Sequence, residues 1–447
     1  MQNRGHVVVI GSGAAGTSCA RTLAAAGWRV TQADDDRWGG TCLWRGCIPK
    51  KSLYQSALTL RTVRDADRFG IKAEPSVDWQ SVLAWKWHSQ ESYAGDQEAL
   101  AAEHGIEVVK AKARFVSPDD VVLGDDVLTP DYIVVATGSR PVLLPIPGIE
   151  FADTSEGALH YPEVPASLAI VGGGFIALEL AGIFASFGTK VTVLTRPHRI
   201  LDMLDEDLAD AAVLRLGTLG VRFVTGATVS AIKGQPGALA LEVAGHDGTE
   251  SEPFERVIVA VGRRPAVDKL DLEIADIETD ANGAVIVDAS LRSTNPKVWF
   301  VGDAAGGMMQ TPVASHEGWA VAQSIDSGIP VPPDCTAVPI TCFTIPQLAT
   351  VGLSEQDAKS RKIPVDCSRI TIGSTGAGII TGETDGFVRL VTSAETNLIL
   401  GCQIAGSSAA DLIYSAAIAM KAGMTGAELG NVLAVHPSFA EAVAWSG

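Results

Sequence analysis

The sequence predicts an α/β chain in which one strand–glycine turn–helix unit occurs twice and is followed by an α+β region. Three observations carry this. Val7-Val8-Val9-Ile10 runs into Gly11-Ser12-Gly13-Ala14-Ala15-Gly16, an apolar strand followed by a glycine-rich turn. About 160 residues later Leu168-Ala169-Ile170-Val171 runs into Gly172-Gly173-Gly174-Phe175-Ile176-Ala177. From about Val338 the pattern changes to strands and one long apolar helix.

A chain of 447 residues has room for about three domains. With 47% hydrophobic residues and little low complexity it can bury a large core. The net charge of −18 argues against a nucleic-acid partner and for a self-repelling surface. The first strand is expected at His6, which leaves no stretch for a signal peptide, and no apolar run reaches bilayer-spanning length. A cytoplasmic protein without membrane or metal is the expectation. Seven scattered cysteines fit cytosolic usage with one special pair rather than a disulfide framework. Cys19, Cys335, Cys342, Cys367 and Cys402 read as packing residues.

Taken in order, the first turn leads into a helix over Thr17–Ala26. Glycines at 11, 13 and 16 permit a tight turn and let a pyrophosphate approach the helix N-terminus. The strand Arg29–Ala33 ends at Asp34, a carboxylate placed to bind ribose hydroxyls, a role open also to Asp35 or Asp36. Both glycine units therefore read as Rossmann-like dinucleotide sites.

Next comes Gly39-Gly40-Thr41-Cys42-Leu43-Trp44-Arg45-Gly46-Cys47-Ile48-Pro49-Lys50-Lys51. In a straight helix, residues five apart have Cα atoms about 8–9 Å apart. A disulfide needs about 7 Å or less, so joining Cys42 to Cys47 requires a distorted turn, which Gly40 and Gly46 permit. A strained, accessible disulfide is reducible and suits catalysis. Lys50, Lys51 and the start of a helix expected over Ser52–Arg61 would lower a thiolate's pKa.

Residues 52–62 and 79–103 read as helices, the second with Trp79, Trp85, Trp87 and Tyr93 as a stripe that reads as core, with a substrate role as the alternative. Glu107–Lys112 and Val121–Leu128 read as strands of a small sheet. Tyr132–Val135 is a buried strand that leads through Thr137 and Gly138 into a hinge-like turn. The second unit continues with a helix to about Phe187 and the strand Lys190–Leu194, and has its own hinge at Gly262. Phe343–Gly352, Gly386–Thr392 and Leu398–Ile404 read as strands, and Ser408–Ala422 as a helix.

A dinucleotide unit followed by Gly-Gly-Thr-Cys-x4-Cys-x-Pro resembles the FAD-dependent pyridine nucleotide–disulfide oxidoreductases. Dihydrolipoamide dehydrogenase, glutathione reductase and mercuric reductase are members. The likeness runs from about residue 5 to residue 445. It implies FAD binding over 1–150, with the redox disulfide, and NAD(P) binding over 151–280. Residues 281–335 would complete the FAD site, and 336–447 would form the interface domain of a homodimer.

By the same resemblance FAD is held by Gly11, Gly13, Gly16, Asp34, Gly40, Thr41, Thr137, Gly138 and Asp303, the last in Val301-Gly302-Asp303. The nicotinamide dinucleotide is held by Gly172, Gly174, Phe175, Ala177, Arg196, Arg199 and Gly262. Cys47 would lie against the flavin and Cys42 would exchange with substrate. Lys50 or Lys51 would pair with Glu179. His436-Pro437-Ser438-Phe439-Ala440-Glu441 resembles the family's His-Pro-Thr-x-x-Glu, with Ser438 in place of threonine. His436, oriented by Glu441, would serve the partner subunit's thiolate as acid–base.

The implied activity passes electrons between NAD(P)H, FAD, the Cys42–Cys47 disulfide and a small-molecule disulfide or dithiol. Pro49-Lys50-Lys51 and Gln310–Ala314 resemble glutathione-reductase-like members, with Arg21 as a candidate for a substrate carboxylate. Gly382–Phe387 resembles dihydrolipoamide dehydrogenases, which is the alternative. A flavin oxidase or transhydrogenase with an idle disulfide is the third reading, disfavoured by the intact motifs. The closing Ala444-Trp445-Ser446-Gly447 lacks the extra cysteine pair of mercuric reductase.

The coenzyme expectation comes from overlaying the two units. Asp34 stands 21 residues after Gly13, and the residue 21 after Gly174 is Thr195. A neutral hydroxyl followed by Arg196, with His198 and Arg199 nearby, suits a 2′-phosphate, because an acid would repel it. NADPH is therefore expected, with NADH as the alternative.

Overall fold

The repeat in the sequence is a repeat in strand register. This computed structural model describes residues 4–244 and 253–447. The chain divides into two compact units, one of Met1–Ser52, Leu83–Val142 and Gly262–Cys335, the other of Leu53–Val82, Leu143–Val261 and Thr336–Gly447.

The first seven strands, all in the first unit, are β1 (His6–Ile10), β2 (Arg29–Ala33), β3 (Ile106–Val109), β4 (Ala113–Phe115), β5 (Val121–Leu123), β6 (Asp126–Leu128) and β7 (Tyr132–Val135). A parallel sheet runs in the order Val298–Phe300, β7, β1, β2, β3. Val7, Val8 and Val9 are fully buried, as a continuous apolar run in a sheet covered on both faces must be. One face packs on helix α1 (Ala14–Ala25) and the helix Thr311–Ser327; the other packs on Phe115, Val121, Leu123 and Leu270.

In the second unit a parallel sheet runs Arg222–Thr225, Lys190–Thr195, Ser167–Val171, Arg256–Val259, Asp153–Thr154. Its central strand feeds the helix Phe175–Ser186, which is buried over most of its length. An antiparallel sheet follows in the order Ile340–Cys342, Gln347–Gly352, Ile399–Gly406, Phe387–Ser393, Val365–Thr371. Ile413, Ala416 and Ala417 of the helix Ala409–Lys421 share a core with its Ile404 and Cys402.

The two glycine turns superpose bond for bond. Gly11 N donates to Ala33 O at 2.7 Å and Gly172 N to Leu194 O at 2.8 Å. Their φ values are +113° and +132°, and a Cβ on either would stand 2.2 Å from the carbonyl oxygen of Ala136 or Ala260. Only glycine fits both the conformation and the space.

Several expectations are corrected. Helix α1 begins at Ala14, because Gly13 in extended conformation is its cap. The cysteines occupy two helices, α2 (Gly40–Trp44) and α3 (Cys47–Arg64), so α3 starts at Cys47 rather than Ser52. Pro49 falls in the first turn of α3, where its missing N–H costs nothing. The stretch 79–103 is two helices, α4 (Trp79–Ala94) and α5 (Gln97–Glu103). Gly95 breaks them at φ +52°, and Asp96 caps α5 by accepting Ala99 N at 2.8 Å.

The small sheet is β4–β5–β6, and β3 belongs instead to the large sheet, beside β2. Val121–Leu128 folds back at Gly124 into β5 and β6. Phe343–Gly352 is a strand only from Gln347, and the edge strand Val365–Thr371, largely non-apolar, escaped the hydrophobic pattern. Of the aromatic stripe of α4 only Trp79 is core. Trp85 is 54% and Tyr93 70% exposed, and the buried row is Trp79, Lys86, Gln90 and Ala94. Cys335 and Cys367 are exposed, unlike the buried Cys19, Cys342 and Cys402.

Candidate active site

The first turn builds a cradle. Asp34 Oδ2 accepts Ser12 N at 2.7 Å and Ser12 Oγ at 2.6 Å, and Gly39 N donates to Ser12 Oγ at 3.1 Å. Gly40, at φ +68°, lies so close to Gly13 that a Cβ would stand 2.7 Å from the Gly13 Cα. The turn, Asp34 and the cysteine segment are thus tied together. At the end of β7 the Thr137 hydroxyl is buried with no hydrogen-bond partner among the described residues. Beyond Gly138, Ser139 Oγ donates to Asp303 and accepts Arg263 Nε at 2.8 Å. An orphaned hydroxyl, a glycine cradle and two placed carboxylates fit a dinucleotide's diphosphate, ribose and hydroxylated chain.

The cysteines follow directly. Cys42 lies at the centre of α2 and Cys47 at the first residue of α3, with the break at Arg45 and Gly46. Neither is in a disulfide here. Cys47 Sγ is 3.5 Å from the Thr311 hydroxyl, at the N-terminus of its helix. The Cys42 thiol is pushed up, first by its hydrogen bond to Cys47 and then by burial, with Thr311 pulling the other way. Two thiols in hydrogen-bond contact share a proton, so the second ionises less readily than the first. Lys50 and Lys51 lie in the first turn of α3. Arg21 Nη2 meets Gln97 Oε1 at 3.4 Å.

In the second unit Gly174 caps the helix opened by Phe175, with Ala177 fully buried behind it. Thr195 Oγ1 lies 2.8 Å from where a Cβ would stand on Gly173. Arg196 is exposed, whereas Arg199 Nη2 donates to Asp202 O at 3.2 Å and Leu204 O at 2.8 Å. Glu179 is buried and its Oε1 accepts Phe343 N at 2.7 Å. His436 Nδ1 lies 2.8 Å from Glu441 Oε1, and Ser438 N donates to Glu441 Oε2 at 3.0 Å. These bonds, the His436 contact first, hold the Glu441 carboxyl below its usual range.

Sequence reasoning missed Thr311, Ser139 and Arg263 as site residues. The matching hinges at Gly138 and Gly262 were the available signal, since Ser139–Pro141 and Arg263–Pro265 pair antiparallel across them.

A dinucleotide cradle that feeds a cysteine pair, in a chain that carries a second dinucleotide turn, fits a redox enzyme. Residues 5–318 match the profile described as pyridine nucleotide-disulphide oxidoreductase, and residues 338–446 match that family's dimerisation domain. The chain belongs to the pyridine nucleotide-disulphide oxidoreductase family. It is 34% identical to a dihydrolipoyl dehydrogenase of Geobacillus stearothermophilus over 98% of this chain and 94% of that one. It is 35% identical to a glutathione reductase of Burkholderia cepacia over 97% and 96%. The solved structure of RclA, an HOCl-induced flavoprotein disulfide reductase from Escherichia coli, matches with a TM-score of 0.89 at 27% identity, covering 98% of each chain. The family works with FAD and NAD(P)H, and the dimerisation domain supports a homodimer. Among the described residues no helix is long and apolar enough to cross a membrane.

Proposed function

We propose that this enzyme reduces a small-molecule disulfide with NADPH through the Cys42–Cys47 pair. Residues 1–150 and 281–335 serve FAD, residues 151–280 serve the nicotinamide dinucleotide, and residues 336–447 serve dimerisation. Bound flavin supplies the two-electron exchange between nicotinamide and sulfur. The chain's own residues do the rest: Asp34 and Asp303 orient ribose and ribityl hydroxyls, and Thr137 gives its orphaned hydroxyl to the same group. Cys47 faces the flavin, Cys42 attacks the substrate disulfide, and His436 of the partner subunit returns the proton. Lys50 or Lys51 pairs with Glu179 beside the flavin; Lys51 is the stronger candidate by position.

One observation carries the NADPH reading: Thr195 replaces the carboxylate that Asp34 supplies in the first unit, and exposed Arg196 follows it. With Arg199 committed to loop carbonyls, Arg196 is the main phosphate-binding residue. The second reading, oxidation of dihydrolipoamide with NAD, is favoured by the dihydrolipoyl dehydrogenase relatives and the Gly382–Phe387 segment. Turnover with glutathione disulfide, lipoamide and dihydrolipoamide, each with both nicotinamides, separates them. Disulfide reduction at least tenfold more efficient with NADPH supports the first reading. Dihydrolipoamide oxidation preferring NAD supports the second.

A further inference from the structure

The five-residue helix that carries Cys42 is too short to hold itself in place, since helix stability is cooperative and needs several turns. Its last carbonyls have no intrahelical partners. Gln90, fully buried on α4, supplies them: Nε2 donates to Leu43 O at 3.1 Å and to Trp44 O at 3.2 Å. The adjacent Ser89 meets Ser52 of α3 across 3.4 Å. Consecutive residues of one helix therefore fasten both sides of the break between Cys42 and Cys47.

The Gln90 carbonyl oxygen is buried with no hydrogen-bond partner among the described residues. Such an orphan is unfavourable, so packing alone would favour an apolar side chain here. The amide's two donor bonds are what an apolar residue could not replace. We infer that Gln90 is a positioning residue for the redox pair, holding the last turn of α2 so that Cys42 stays within bonding range of Cys47. Reduction breaks one S–S bond, takes up two electrons from NAD(P)H and two protons, and yields two thiols. Fixing the sulfurs together favours the disulfide, because ring closure then costs less entropy.

This rests on Cys42 and Cys47 being the redox pair. The test equilibrates FAD-loaded enzyme with thiol–disulfide buffers, traps thiols by alkylation and maps them by mass. Wild type and Gln90→Met, which keeps the length without the donor, are compared, with bound-flavin absorbance reporting the fold. Gln90→Asn, too short to reach the carbonyls, serves if the methionine variant fails to fold. The expected result is at least a tenfold shift toward the dithiol, about 30 mV for a two-electron couple. A folded variant within twofold of wild type overturns the inference, even if less heat-stable. Wild type that forms no Cys42–Cys47 disulfide overturns the underlying assignment instead.

Discussion

Glu317 Oε2 accepts the backbone amide of Gly302 at 2.7 Å, one residue before Asp303. Burial pushes the Glu317 carboxyl up to about 7, against the pull of that amide. The folded protein therefore holds this proton more tightly than the unfolded chain. Its stabilising contribution is full below about pH 4.5 and is lost as pH rises through 7. Glu317→Gln keeps an oxygen for Gly302 and carries no charge. It should be more stable than wild type at pH 8, by on the order of 2–3 kcal/mol, and nearly equal at pH 4.5. Urea unfolding at the two pH values measures this; an equal gap at both would contradict it.

Arg389 is nearly buried between Asp205, at 3.1 Å, and Asp207. It fixes the start of the helix Glu206–Thr218 to the strand Phe387–Ser393. Removing the guanidinium leaves Asp205 buried and uncompensated, which costs about 3–5 kcal/mol. Arg389→Met should lose that much in denaturant unfolding, and adding Asp205→Asn should recover a large part. An Arg389→Met protein as stable as wild type would refute this.

How legible this molecule was depended on range. Gly11, Gly172 and the Gly302-Asp303 turn were readable because local backbone geometry dictates the residue. Cys42 and Cys47 were singled out by their spacing, and the five-residue spacing of His436 and Glu441 is that of a pair in hydrogen-bond contact. Gln90 and Lys86 were not readable, since their place inside α4 is decided by what packs against it. Lys86, 1% exposed, lies with its Nζ 4.5 Å from the Trp87 ring centre, while Trp85, Trp87 and Tyr93, expected inside with Trp79, face solvent. Periodicity identified the helix and placed Trp79 inside, but put Trp85, Trp87 and Tyr93 on the wrong face. Ser139 and Thr311 join Asp303 and Cys47 only through contacts more than 160 residues apart in sequence.

Arg196→Ala should raise the Michaelis constant for NADPH about ten- to a hundredfold, the scale of one charged hydrogen bond, and change that for NADH little. Arg199→Ala should act mainly on stability, because its donors hold the Asp202 and Leu204 carbonyls. Steady-state kinetics with both coenzymes reads this directly. A larger effect at Arg199 than at Arg196 would reverse the roles.

Glu441 fixes His436 through a hydrogen bond within the same chain, and the proposed use of that imidazole is in the other subunit. A mixed dimer of Cys42→Ser and His436→Gln chains should regain activity at one of its two sites, though each parent dimer is inactive. An isolated hybrid without activity would mean that each site is built from one chain.

The most direct test asks which sulfurs take the electrons. Oxidised, FAD-loaded enzyme is treated with NADPH without oxygen, alkylated and mapped by mass, beside a sample that received no coenzyme. New label should appear at Cys42 and Cys47 alone, the other five cysteines unchanged. Unchanged labelling of that pair, or new label at Cys335 or Cys367 instead, would contradict the account.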